Sequence, residues 1–136
     1  MKRLPDWRSR LIAYVAAAAG MPFRPGRHDC ALFAAGAVAA MTGFDGAAPW
    51  RGRYTTLRGG LRVLRREGYA DHLALVTAHL APVPPAFARA GDLAAVPDTA
   101  GTALGVVQGE RIYVLRPEGL ATVDLLVATH AWRVPA

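Results

Sequence analysis

The chain has 136 residues, 53% of them hydrophobic and 19% charged, with 16 basic side chains against 10 acidic ones and a formal net charge of +6. That length suits one domain around one core, the apolar share argues against intrinsic disorder, and no run reaches the ~18 apolar residues of a membrane-spanning helix. The positive balance favours acidic partners without deciding the fold, while the lone cysteine, Cys30, excludes an internal disulfide framework and a thiolate zinc knuckle.

In chain order, the N-terminus imitates a secretion signal, with Lys2 and Arg3 ahead of an apolar run at 11–19. Asp6, Arg8, Ser9 and Arg10 interrupt that pattern, and Trp7, Leu11, Tyr14, Val15 and Ala18 recur at helical spacing. A docked amphipathic helix over residues 6–19 is therefore expected, ending at Gly20. A second helix starts at Asp29, a good N-cap, and runs to Met41 before Thr42-Gly43. Its Ala34, Gly36, Ala37 and Ala40 leave little side chain, so it should sit centrally and approach its neighbours closely. The third, over 56–67, carries Leu57, Leu61 and Leu64 on one stripe with Arg58, Arg62 and Arg65 displaced from it, and Gly68 as its C-cap. A short helix over 71–80 is stopped by Pro82-Val83-Pro84-Pro85, a stretch read as the join between two layers of one core.

After Gly91-Asp92 the texture changes to short β-rich runs at 93–96, 104–108 and 112–115, with further strands at 121–126 and 131–134. The expectation is a single α+β domain over residues 1–136, with an N-terminal helix at 6–19, a helical part at 29–80 and a small antiparallel sheet at 91–134.

The most informative local feature is His28-Asp29-Cys30. A thiol at a helix N-terminus faces unpaired N–H groups and the positive end of the dipole, which favour thiolate and suit a nucleophile. The competing reading is a small buried hydrophobe. His28, two residues before the thiol, and His130, ahead of the last strand, are the candidates for a displaced base. His72 and His79, seven apart on one short helix, read as surface or packing residues. No i, i+4 histidine pair or His-Cys cluster exists, so neither a metal nor a cofactor is expected.

A Cys opening a small-residue helix, followed by Gly91-Asp92-Leu93 and a strand-turn-strand pair, resembles the NlpC-type cysteine peptidases, cell-wall hydrolases of papain-like α+β fold. Asp29-Cys30 matches their nucleophile motif and Gly91-Asp92-Leu93 the strand after it. Ala103-Leu104-Gly105-Val106-Val107 and Ile112-Tyr113-Val114 match the next two strands, and the resemblance spans roughly residues 20 to 134. It implies a papain-like core with Cys30 as nucleophile. It also places the catalytic histidine at Ala103 and the third polar residue near Val114, where this chain carries neither. A papain-like mechanism needs an imidazole beside the sulfur to hold the ion pair and protonate the leaving amine, so the resemblance implies a broken dyad.

Trp50-Arg51-Gly52-Arg53-Tyr54 leads into Arg58, Arg62, Arg65 and Arg66, six arginines within 16 residues. Such a stretch is an Arg-bearing solvated face anchored by two aromatics, a protein interface, or a phosphate-tracking surface. The interface ranks above nucleic acid, with Trp50, Arg51, Arg53, Tyr54 and Arg58 as its candidate residues. Together with His-Asp-Cys-Ala-Leu-Phe, Met-Thr-Gly-Phe-Asp, Leu-Gly-Val-Val-Gln-Gly and the late Ala-Trp-Arg-Val, this pattern is similar to small proteins encoded among tail genes of alphaproteobacterial phages and gene transfer agents. That resemblance implies a tail-tip component, assembled in the bacterial cytoplasm, whose partners are hub, distal-tail or receptor-binding proteins. The alternative is an active cysteine peptidase that cuts peptidoglycan peptides as the particle penetrates the cell.

Overall fold

The computed structural model describes residues 1–99 and 101–136, in which four helices precede a six-stranded sheet. The helices are α1 (Trp7–Ala19), α2 (Cys30–Thr42), α3 (Leu57–Arg66) and α4 (His72–His79). The strands are β1 (Ala81–Val83), β2 (Leu93–Asp98), β3 (Gly101–Val107), β4 (Arg111–Arg116), β5 (Gly119–Asp124) and β6 (His130–Arg133). The class is α+β, as the run of helical and then β-rich segments implies.

Helix ends follow their capping residues. The side chains of Asp29, Thr56 and Asp71 each accept a hydrogen bond from the backbone N–H three residues on, which satisfies a donor that the first helical turn leaves open. Gly43 closes α2 in the left-handed conformation, φ +83°. At Gly36 a Cβ would overlap the Tyr14 hydroxyl, so the bare glycine is what lets α1 lie against α2. The Tyr14 hydroxyl uses that space to donate to the Phe33 carbonyl at 2.8 Å, with the two rings stacked.

The strand order is β1-β6-β2-β3-β4-β5, and every neighbouring pair is antiparallel. Side chains alternate between faces. Leu93, Ala95, Leu104, Val106 and Trp132 pack with Leu11, Ala34, Ala37, Val38 and Met41 of α1 and α2. Ala94, Val96, Ala103, Val107, Ile112 and Val114 form a second cluster, covered by Ala88, Val123, Leu125 and Ala128 and abutted by Cys30. Both faces are buried, which is why 93–96 reads as an unbroken apolar run rather than an alternating one.

Two elements differ from the sequence expectation. The stretch at Pro82-Val83-Pro84-Pro85 is not merely a join: Ala81–Val83 form edge strand β1, with Pro82 opposite Trp132 of β6. Proline is tolerated there because an edge strand has one side free of ladder hydrogen bonds. In α3, Val63 alone is buried, Leu57 is 44% exposed, and the leucine stripe lines an open cleft instead of closing onto the core.

Gly91-Asp92-Leu93 has a structural role. Asp92 is fully buried, and its Oδ1 accepts from Arg3 Nη2 (3.0 Å) and the Val134 amide (3.1 Å). Its Oδ2 accepts from Arg133 Nε (3.0 Å) and the Arg89 amide (2.8 Å). One carboxylate thus ties the N-terminus, the β2 entrance and the end of β6. Gly91, at φ +90°, has no Cβ because Arg3 and Trp7 occupy that space.

Replacing a carboxylate that neutralises two arginines leaves their charges uncompensated at a buried site. Asp92→Ala should cost about 3–5 kcal/mol, a large part of the stability of a domain this size. Urea denaturation of the variant should show a correspondingly lower midpoint, and an unchanged midpoint would refute the role given to Asp92.

Candidate functional site

The site begins at the turn before α2. Asp29 is fully buried and satisfied: Oδ1 accepts from the Leu32 amide at 2.9 Å, and Oδ2 from the Gly26 amide at 3.0 Å and the Tyr54 hydroxyl at 2.6 Å. Gly26 is at φ +82°, and its backbone lies so close to the Tyr54 carbonyl that no Cβ fits. Tyr54 therefore clamps the loop that presents Cys30, and its own ionisation is pushed up by burial and by the adjacent Asp29 carboxylate.

Cys30 is the first residue of α2, half-buried against the cluster containing Ala103 and Val114. Burial pushes its pKa up to about 11, aided by the Asp29 and Asp98 carboxylates and only partly opposed by hydrogen bonds from the backbone at Leu104 and Ala31. Of the two readings of Cys30, these surroundings favour the buried thiol over the thiolate. Helix-terminal N–H groups favour the anion, but desolvation and two nearby carboxylates disfavour it more strongly. At neutral pH the group is a thiol.

Neither candidate base is directed at the sulfur by its hydrogen bonds. His28 is buried, with Nε2 3.1 Å from the Ala18 carbonyl oxygen and its ring edge-on to Phe33. His130 is exposed, stacked on Trp132, with Nδ1 3.0 Å from the Thr129 hydroxyl. Ala103 and Val114, the positions of the implied imidazole and third polar group, are both buried within the apolar cluster beside Cys30. His72 is better placed than the sequence reading allowed. It lines the same cleft as Cys30, and its Nε2 lies 2.9 Å from the carbonyl oxygen of Thr102, next to Ala103. Helical periodicity alone carried no signal for this, since β3 is distant in sequence.

That cleft, of about 470 Å³, lies between α2, α3, α4 and the outer end of the β2–β3 hairpin, and its walls are largely apolar. Trp50 and Tyr54 line one end. Of the candidate interface residues, Trp50 packs edge-on to Tyr69, and Tyr54 is committed to Asp29. Arg51 is ion-paired with Asp45, and Arg53 bonds Glu67 at 3.0 Å and lies over the Trp50 ring. Arg58 is exposed, with no ion-pair partner among the described residues. Among those residues no group of three or more His, Cys, Asp or Glu could hold a metal, and no helix is long and apolar enough to cross a membrane.

Fold and site together define an α+β domain with a neutral thiol at the edge of an apolar cleft. The chain belongs to the family described as Domain of unknown function (DUF6950), which it matches over residues 2–134. No curated protein matches it.

Alkylation of Cys30 by iodoacetamide should rise with a midpoint near pH 11, and at pH 7 be at least about tenfold slower than for free cysteine. A raised folded pKa stabilises the fold below the ordinary thiol range, and that contribution is lost as pH climbs through about 11. A midpoint at or below pH 8 would overturn the assignment. Tyr54→Phe should cost about 1.5–3 kcal/mol in urea denaturation, because it removes a donor to a buried carboxylate.

Proposed function

We propose that the chain is a structural adaptor of a phage-like or gene-transfer-agent tail tip, built on a papain-like NlpC-type fold that has lost hydrolase activity. The observation that carries this reading is the environment of Cys30: a protonated thiol beside buried Ala103 and Val114, with no imidazole in the implied place. A thiol without a base has no route to the acyl-enzyme, because neither its own proton nor that of the leaving amine is managed. The helices-then-antiparallel-sheet order and the packing of the α2 N-terminus against the strand bearing Ala103 support descent from such a peptidase.

On this reading the partners are other tail-tip proteins (hub, distal-tail or receptor-binding components), and the chain resides in the particle. The exposed arginines of α3 support a protein-binding role. A phosphate-tracking surface would have to rest on the arginines of α3 alone, because Arg51 and Arg53 are paired with Asp45 and Glu67. The competing reading, a peptidase acting on peptidoglycan peptides, draws on one observation: His72 shares the cleft with Cys30.

Two measurements test the proposal. Particles purified from producing cells should contain the chain, and a variant with Arg51, Arg53 and Arg58 all replaced by Ala should be incorporated several-fold less well. Purified protein incubated with peptidoglycan sacculi should release no muropeptides. Release by the wild type that Cys30→Ala abolishes would replace this reading with the peptidase. Absence of the chain from particles would end it.

A further inference from the structure

Helices α3 and α4 meet the cleft mainly through leucine and valine, with Arg65, His72 and His79 among them, yet Val63 is the only buried residue of the two helices. Three stripes at helical spacing converge on the same space. From α2 come Ala31, Ala35 and Val38; from α3, Leu57, Leu61 and Leu64; from α4, His72, Leu75 and Val76. Each stripe covers one to two turns, about 5–10 Å of helix. This is half of a helical packing arrangement, a floor of small residues with two walls of larger ones. The shape suits an amphipathic helix laid in by its apolar face.

Charge identifies the helix further. Arg58, Arg62 and Arg65 lie along α3 beside the leucine wall, Arg66 lies on the opposite face, and none of the four has a carboxylate partner among the described residues. Arg65 itself lines the cleft. Of the carboxylates lining the cleft, Asp29 and Asp71 are taken up as helix caps, with Asp29 also bound to Tyr54, while Asp98, at the far end from α3 on the β2–β3 hairpin, accepts from the Thr99 amide. The unpaired charge facing an occupant from α3 is therefore positive.

We infer that the cleft receives an amphipathic helix of a partner protein, bearing a leucine-like stripe flanked by glutamates or aspartates that meet Arg58, Arg62 and Arg65. The inference rests on the adaptor reading for the partner's origin in the tail tip, though the chemistry of the cleft is independent of it. Binding closes the open side of α3, converting a half-exposed leucine stripe into core. Rim charges of this kind select among partners and speed encounter more than they add affinity.

The test uses the full chain and two synthetic peptides about 18 residues long, identical in apolar stripe and flanked by Glu in one and by Lys in the other, with dodecanoate as a small-amphiphile control. The Glu-flanked peptide should bind at least about tenfold more tightly at low salt and shift the methyl resonances of Leu57, Leu61 and Leu64. Leu61→Glu should abolish that binding. Reversal of Arg58, Arg62 and Arg65 together to Glu should invert the preference toward the Lys-flanked peptide, with circular dichroism unchanged. No binding by either peptide, equal affinity for both, or shifts elsewhere on the surface would overturn the inference. So would preferential filling by dodecanoate, which would make the cleft a small-amphiphile pocket. If the peptides discriminate but particles lack the chain, the adaptor reading fails alone. If particles contain the chain and the peptides do not discriminate, the helix inference fails alone.

Discussion

A fully buried carboxylate, that of Asp92, is the point at which the N-terminal segment, the start of β2 and the end of β6 converge. It lies where β2 begins, with Arg3 from before α1 on one oxygen and Arg133 from β6 on the other. Arg3 also donates to the carbonyls of Ala90 and Val134, so the N-terminal segment is stitched to the sheet at several points. Burying the Asp92 charge and most of Arg3, with Arg133 partly exposed, costs solvation, and the pairing offsets that cost only while the partners stay in place. The geometry of this junction sets where α1 sits. Through the contact of Tyr14 with Phe33 and Gly36, α1 then sets how α2 lies on the sheet and hence where Cys30 is presented.

At Cys30 two opposing influences meet, and magnitudes decide between them. A helix N-terminus lowers a thiol pKa when the sulfur is solvated and no anion is near. Here the sulfur is sunk against alanine and valine side chains with Asp29 directly before it and Asp98 close by, and the net effect is upward. The carboxylate that makes Asp29 a good cap is thus one of the groups that keeps the thiol neutral. Capping and activation compete at a single dipeptide.

Much of this fold is legible in the sequence because its helix boundaries are written in local chemistry. Asp29, Thr56 and Asp71 cap through their own side chains, and Gly43 closes α2, so these ends depend on residues within four positions. Edge strand β1 is not legible, since its pairing partner, β6, lies some fifty positions away and its proline argues against a strand in any local window. Nor is the destination of the α3 stripe. Periodicity announces an apolar face, but whether that face meets core or an open cleft depends on how α2 and α4 are placed. At the site, the Asp29-Cys30 start is visible in the sequence. The ionisation of the thiol, the clamp from Tyr54 and the approach of His72 to β3 all arise from tertiary contacts.

The prolines of the β1 region have a consequence for how the molecule meets copies of itself. Pro82 in the strand, with Pro84 and Pro85 just after it, lacks amide hydrogens on a rim that would otherwise invite another backbone. A strand approaching there finds too few donors to build a ladder, and the sheet ends at β1. For a domain with an open apolar cleft elsewhere, a rim that cannot be extended leaves β5, at the opposite edge, as the side of the sheet on which another strand could add.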